Sequence, residues 1–239
     1  MSEPMYANYE HYIREGWSKE PKESFKALAR IIGENVPARL ATHLDVGCAT
    51  GELMGFVKSH FPGISATGWD VFDSLLETGR RLLPDCEFDK VSAVDPALAS
   101  KRRYDLVTAV GVMSIFDETE LQRFWSNLTG AVADDGLLVV LSPLNEFGCD
   151  IVVRHRKRKD GAPLGWEHGW NVYSFETIRE LVQPLGWTVE FVPFDIGIDL
   201  APVADPVRTW TMATERNPRQ LTNGLKLLIN HYFMVARRA

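Results

Sequence analysis

The chain has 239 residues, 45% of them hydrophobic and 24% charged, and a formal net charge of -6; this supplies core for one large domain or for a domain with an appended lid. The negative balance argues against nucleic acid as the main partner, because such binders bring cations to the phosphates. Three scattered cysteines (Cys48, Cys86 and Cys149) form no CxxC pair or zinc pattern, no apolar run reaches the roughly 18 residues of a membrane span, and "MSEPMYANYEHYIREGW" lacks the apolar h-region of a secretory signal, so a cytoplasmic protein is expected.

The first 38 residues read as a helical cover. "SFKALARII" sets Phe25, Leu28, Ile31 and Ile32 at helical spacing, and Pro37 closes the region. Residues 39–239 then alternate strands with helices. "ATHLDVG" is strand one and "ELMGFVKSHF" the helix after it. "ISATGWD" is strand two, followed by helix "SLLETGRRLL" and a weak third strand near "CEFDKV". "YDLVTAV" is strand four, "ETELQRFWSNLTGAV" a helix and "DDGLLVVLS" strand five. "SFETIRELVQPLG" is a helix before strand six, "WTVEFVPF". "LKLLINHYFMVARR" closes the chain as a last strand. Such alternation implies an α/β, doubly wound and mostly parallel sheet with helices on both faces. Ligands bind such sheets at the carboxyl ends of the strands. That rule sets Asp45–Gly51, Asp70, Ser92 and Gly111–Phe116 along one rim.

"HLDVGCATGELMGFV", His43 to Val57, carries a strand into a glycine turn and a helix. Against the dinucleotide fingerprint G-x-G-x-x-G, the matching positions are Gly47, Ala49 and Glu52. The third glycine is therefore a glutamate, whose charge would sit beside a doubly anionic pyrophosphate. A phosphate-cradling P-loop needs a lysine after its last glycine, and Gly51 is followed by Glu52 and Leu53. S-adenosylmethionine suits the acidic rim better, because it has no phosphate and carries an ammonium and a sulfonium beside one carboxylate. Gly47 and Gly51 admit its amino-acid end, and the helix N-terminus can meet the carboxylate. Asp45 can orient the ammonium. Asp70, closing strand two, can accept the ribose hydroxyls, with Trp69 and Val71 against the adenine. The alternative for Asp70 is a helix cap, a role Asp73 could also fill.

In the order and spacing of five blocks the chain resembles a class I S-adenosylmethionine-dependent methyltransferase of the small-molecule type. The blocks are "LDVGCATGELMGFV", "GWDVFDSLLETGRRL", "YDLVTAVGVMSIFDE", "LLVVLSPLNE" and "YSFETIRELVQPLGWTVEFV", and the resemblance spans residues 38 to 239. It implies a Rossmann-like seven-stranded sheet whose last strand, "LINHYFMVARR", runs antiparallel between strands five and six. It implies that Asp45, Gly47 and Gly51, with Cys48 and Ala49 in the same turn, hold the methionine end, and that Asp70 holds the ribose. Where many members have glycine, this chain has Ala49. Where many have an aspartate after strand three, it has Ser92 with Ala93 beside it. The exit of strand four, Gly111 and Met113 with Ile115 and Phe116, would wall the adenine or the methyl; core packing is the competing role for these apolar side chains.

Methyl transfer from a sulfonium is an in-line displacement, so the acceptor must sit about 3 Å from the methyl carbon. A hydroxyl acceptor also needs a base; an amine need only be neutral. Two segments are left to shape an acceptor pocket. One is the N-terminal region with Tyr6, Tyr9, Tyr12 and Trp17. The other, about 143–173, is long for a connection and is expected to form a lid. It carries Trp166, Glu167, His168, Trp170, Asn171 and Tyr173. His168 is the leading candidate for the base, then His155, Glu167 and Asp150. "RHRKRK", Arg154–Lys159, is either a solvated face or an attractor for an anionic acceptor. His43 and His231 fall in strands and read as structural. No metal constellation is apparent: Asp117 and Glu118, and Asn145 and Glu146, follow strands four and five without ligand spacing. The expected reaction is methylation of a small molecule, at a sugar, glycan or natural-product hydroxyl. A small amine as acceptor, or a non-catalytic S-adenosylmethionine-binding module, are the alternatives.

Overall fold

The computed structural model describes residues 20–35, 40–98, 102–156, 158–159, 161–163, 165–194, 211–212, 220–221 and 230–239. Tyr6, Tyr9, Tyr12, Trp17 and Pro37 lie outside the described residues. The first described helix, α1 (Glu23–Asn35), buries the expected stripe of Phe25, Leu28, Ile31 and Ile32. Seven strands follow: β1 (Thr42–Val46), β2 (Ser65–Asp70), β3 (Glu87–Lys90), β4 (Tyr104–Val110), β5 (Val132–Asn145), β6 (Trp187–Phe194) and β7 (Asn230–Arg238). They lie side by side in the order β6-β7-β5-β4-β1-β2-β3. Parallel pairing joins β1 to β2 and β4, β2 to β3, and β4 to β5. Strand β7 runs antiparallel to both neighbours, β5 and β6, as expected.

Helices α2 (Glu52–His60), α3 (Asp73–Leu82), α4 (Glu118–Ala131) and α5 (Phe175–Val182) complete the frame. On one face, α1 and α2 pack Leu28, Ile32, Phe56 and Val57 against Leu106, Val139, Leu141 and Phe233. On the other, Phe124, Trp125 and Leu128 of α4 and Ile178 of α5 cover Val107, Val140 and Met234. Both faces of the central strands are thus apolar, as a doubly wound sheet requires. Asp117 starts α4 with a capping box: its carboxylate accepts from the Thr119 and Glu120 amides, and Glu120 returns a bond to the Asp117 amide. Asp73 is the first residue of α3 and makes no cap; it pairs with Lys90.

The chain travels outward from β1 to β3, then crosses back to β4 and β5. The reversal opens a crevice between the carboxyl ends of β1 and β4, the usual ligand position in such a sheet.

Candidate active site

The glycine turn is held by β2. The amides of Gly47 and Cys48 both donate to the Trp69 carbonyl, at 2.8 and 3.0 Å, and the Gly51 amide donates to the Cys48 carbonyl at 2.8 Å. Asp70 closes the arrangement. Its Oδ2 accepts from the Ala49 amide at 2.9 Å, and its Oδ1 from the Val71 and Phe72 amides at 2.7 and 3.1 Å. Burial pushes the Asp70 carboxyl up, against the three amides that favour its charge. The turn backbone is left-handed at Gly47 (φ 73°), Ala49 (φ 48°) and Gly51 (φ 84°). A Cβ on Gly47 would stand 2.1 Å from Val112 Cγ2, so glycine lets the β1 turn meet the β4 exit. Gly51 answers to packing instead: a Cβ there would be 2.8 Å from Phe88 Cζ.

A cavity of about 370 Å³ lies in this crevice, within the size range of small-molecule sites. Gly47, Ala49, Trp69, Asp70 and Val71 form one wall, and Ser92, Ala93, Gly111, Ile115 and Phe116 another. A recess of about 110 Å³ adjoins it through Gly47 and Ala49. Asp45, Cys48 and Glu52 line the recess together with Lys22 and Ser24 from the start of α1. Asp45 is almost fully buried, and burial pushes its carboxyl up to about 7, opposed by a 2.7 Å hydrogen bond from Thr108.

The segment after β5 is a β-hairpin arm rather than an irregular lid. Ile151 bridges Val172, Arg154–His155 pairs antiparallel with Glu167–His168, and Arg158–Lys159 pairs with Ala162–Pro163. Its base is clamped to the β4 exit. The Asn171 amide donates to the Ser114 carbonyl at 2.8 Å, and its side chain donates to the Phe116 carbonyl at 2.6 Å while accepting from the Val153 amide at 2.8 Å. The Tyr173 hydroxyl donates to the same Phe116 carbonyl at 2.8 Å. Trp170, in left-handed backbone (φ 64°), is thereby set into the cavity wall. A bulky residue in that region is strained, and such strain gathers where function demands a fixed side chain.

Residues 44–138 match a family model described as a methyltransferase domain. No curated protein matches the sequence. Among solved structures, the chain is similar to the DhpI complex with S-adenosylhomocysteine at 16% identity, with TM-score 0.60 and coverage of 95% of this chain and 90% of that one. It is similar to CalS10, an amino pentose methyltransferase from Micromonospora echinaspora, at 15% identity, TM-score 0.57 and coverage of 95% and 94%. It is also similar to the glycopeptide N-methyltransferase MtfA at 13% identity, TM-score 0.56 and coverage of 89% and 93%. Residues 44–138 thus carry a methyltransferase domain, and the chain as a whole shares the fold of these S-adenosylmethionine-dependent methyltransferases.

Most of the residues singled out from the sequence for the donor meet at the paired cavities, but two do not. Met113 is fully buried in the core under α4 and lines neither cavity. Gly51 turns toward Phe88 and lines neither. Lys22, whose Nζ stands 3.6 Å from Glu52 Oε2, was missed; no motif marks it, and only the docking of α1 brings it to the recess.

The four candidate bases separate by hairpin register, since side chains alternate across a strand. His155 and Glu167 are direct cross-strand partners, with Nε2 and Oε2 3.7 Å apart. The His155 ring and Ile115 of the cavity wall both come within 4 Å of where a Gly169 Cβ would stand, which puts the pair on the face of the arm toward Ile115. His168 is exposed. Asp150 is occupied in joining the arm to α5, accepting from the Ser174 amide at 2.7 Å and the Thr177 hydroxyl at 2.6 Å. Trp166 is exposed too, with the Arg154 and Arg156 guanidiniums 5.9 and 5.0 Å from its ring centre. Among the described residues no helix is long and apolar enough to cross a membrane, and no group of three His, Cys, Asp or Glu is placed to hold a metal.

Proposed function

We propose that the protein methylates a hydroxyl of a small molecule, a sugar, glycan or natural product, held beneath the hairpin arm. The residues present suit S-adenosylmethionine. The recess offers a buried carboxylate to an ammonium and a lysine to a carboxylate, while the larger cavity offers Asp70 and apolar walls to a nucleoside. The bound donor supplies an electrophilic methyl carbon on a cationic sulfur. Asp45 receives the ammonium, Lys22 stands by the carboxylate, Asp70 accepts from the ribose, and Val71, Ser92 and Ala93 border the adenine.

At the other end, Trp170 and Ile115 would exclude water and orient the acceptor hydroxyl. An oxygen that accepts a methyl cation must lose its proton. His155 takes the hydroxyl proton at the ring nitrogen turned away from Glu167, and Glu167 stabilises the resulting cation. The observation that carries the reading is the His155–Glu167 pair on the face of the arm toward Ile115: a hydroxyl needs a base, and an amine does not. An amine acceptor is the second reading, favoured because MtfA is described as an N-methyltransferase and CalS10 as an amino pentose methyltransferase.

The test is methyl transfer from labelled S-adenosylmethionine to matched pairs of hydroxy and amino sugars and aglycones. Label on the hydroxy compounds supports the first reading, and label confined to the amines replaces it with the second.

A further inference from the structure

Beneath the donor recess runs a buried chain that the reaction as described does not use. His43 on β1 and Thr108 on β4 are both fully buried, and Asp45 follows two residues after His43 on the same face of β1. His43 Nε2 lies 2.8 Å from Thr108 Oγ1, which lies 2.7 Å from Asp45 Oδ1. The directions are fixed by counting protons. The Thr108 hydroxyl has one hydrogen, and an ionised carboxylate can only accept, so Thr108 donates to Asp45 and His43 Nε2–H donates to Thr108. The opposite nitrogen, Nδ1, is buried with no hydrogen-bond partner. Leaving it so costs free energy, which a plain apolar side chain at this position would avoid.

We propose that His43 is a positioning residue for the methyl donor: through Thr108 it holds the Asp45 carboxylate ionised and aimed into the recess, where it receives the donor's ammonium. This rests on the assignment of Asp45 to the ammonium. Burial brings Asp45 up to about 7 and holds His43 down to about 3, so between pH 5.5 and 7.5 His43 stays neutral while Asp45 titrates. The other groups around Asp45 are Asp70 at the end of β2, Cys48 in the turn, Glu52 on α2 and Lys22 ahead of α1. Asp70 adds a smaller upward push on Asp45, and burial keeps the Cys48 thiol protonated.

The experiment is calorimetric titration of the full chain with two ligands across pH 5.5–7.5. S-adenosylhomocysteine carries the ammonium. 5′-Methylthioadenosine shares the nucleoside, and so the Asp70 contacts, but lacks the amino-acid end. For the native protein, S-adenosylhomocysteine affinity is expected to fall as pH falls through about 7, by up to about tenfold per pH unit, while 5′-methylthioadenosine affinity stays level. Thr108→Val shifts that midpoint to higher pH, Thr108→Ser restores it, and His43→Leu shifts it in the same direction as Thr108→Val. Unchanged 5′-methylthioadenosine affinity shows that each variant is folded; should His43→Leu fail this check, Thr108→Val against Thr108→Ser decides. A native profile that is flat, or a midpoint that Thr108→Val leaves in place, overturns the relay while the donor site stands. Native protein that binds neither ligand overturns the donor site itself, and the relay with it.

Discussion

The turn after β1 and the arm after β5 face each other across one cavity, yet they are specified in opposite ways. In the turn, the constraints are local or lie one strand away: left-handed glycines, a helix start, and an aspartate that gathers three amides. In the arm, the function of each side chain depends on register and on contacts far along the chain. Asn171 reaches Phe116 across 55 positions, and a shift of one residue in the hairpin would exchange His155 for His168 on the inner side. Backbone chemistry thus builds the wall proposed for the donor, and side-chain placement on a paired ribbon builds the wall proposed for the acceptor.

The sharpest way to break this contrast is at the arm. His155→Ala is expected to lower turnover by about 10²–10⁴-fold, the usual worth of a positioned base, with donor affinity unchanged. His168→Ala is expected to turn over like the native enzyme. Steady-state kinetics on both variants decide: equal losses, or a larger loss at His168, would mean that the ribbon presents its other face to the acceptor.

On the donor side, Asp70→Ala removes a charged acceptor from the Ala49, Val71 and Phe72 amides as well as from the ribose. Donor affinity should fall by about 1–3 kcal/mol, read as a weaker dissociation constant for S-adenosylhomocysteine. An unchanged constant removes Asp70 from the site. Asn171→Ala tests the join between the two regions. It leaves the buried Val153 amide without its acceptor, at a cost of about 1–3 kcal/mol in denaturant unfolding, and frees Trp170 from its fixed place. KM for the acceptor should rise more than the donor dissociation constant; equal changes would show that the clamp supports the whole cavity rather than the arm.

Legibility in the sequence follows the same division. The alternation of helix and strand announced the sheet. β7 could be set between β5 and β6 only by resemblance, since no periodicity reveals pairing order. The Asp45–Gly51 turn and Asp70 could be found because glycine and aspartate there answer to backbone demands that short motifs record. Gly51 was legible through its turn, where the backbone is left-handed, but its packing against Phe88, 37 residues away, was not. Met113 was left between two roles because a buried methionine and a cavity-lining one look alike in sequence; the structure packs it in the core under α4. Lys22 was silent for the converse reason, an ordinary surface-type residue carried to the recess by docking of α1. In the arm the candidate residue types were visible, but which of His155 and His168 shares a face with Glu167 could not be read until the strand pairing was known.

The last expected effect concerns stability rather than turnover. Asp45 ionises near 3.8 as an ordinary carboxyl and near 7 in the fold, because burial disfavours its charge. Between those values the folded chain holds a proton that the unfolded chain has released, so this group's contribution to stability falls as pH rises from about 4 to about 7 and is flat above. Asparagine does not titrate. Asp45→Asn should therefore gain on the native protein in ligand-free melting temperature across that window, by about ten degrees at pH 8 relative to pH 4, with the His43 contribution common to both and cancelling. The same substitution should weaken S-adenosylhomocysteine while sparing 5′-methylthioadenosine. Melting curves at four or five pH values give the answer. A gap that widens with pH means that the fold tolerates a destabilising charge where the donor needs it, a cost that active sites commonly carry. A constant gap would mean that Asp45 ionises in the fold where an ordinary carboxyl does, so that burial places no cost on its charge.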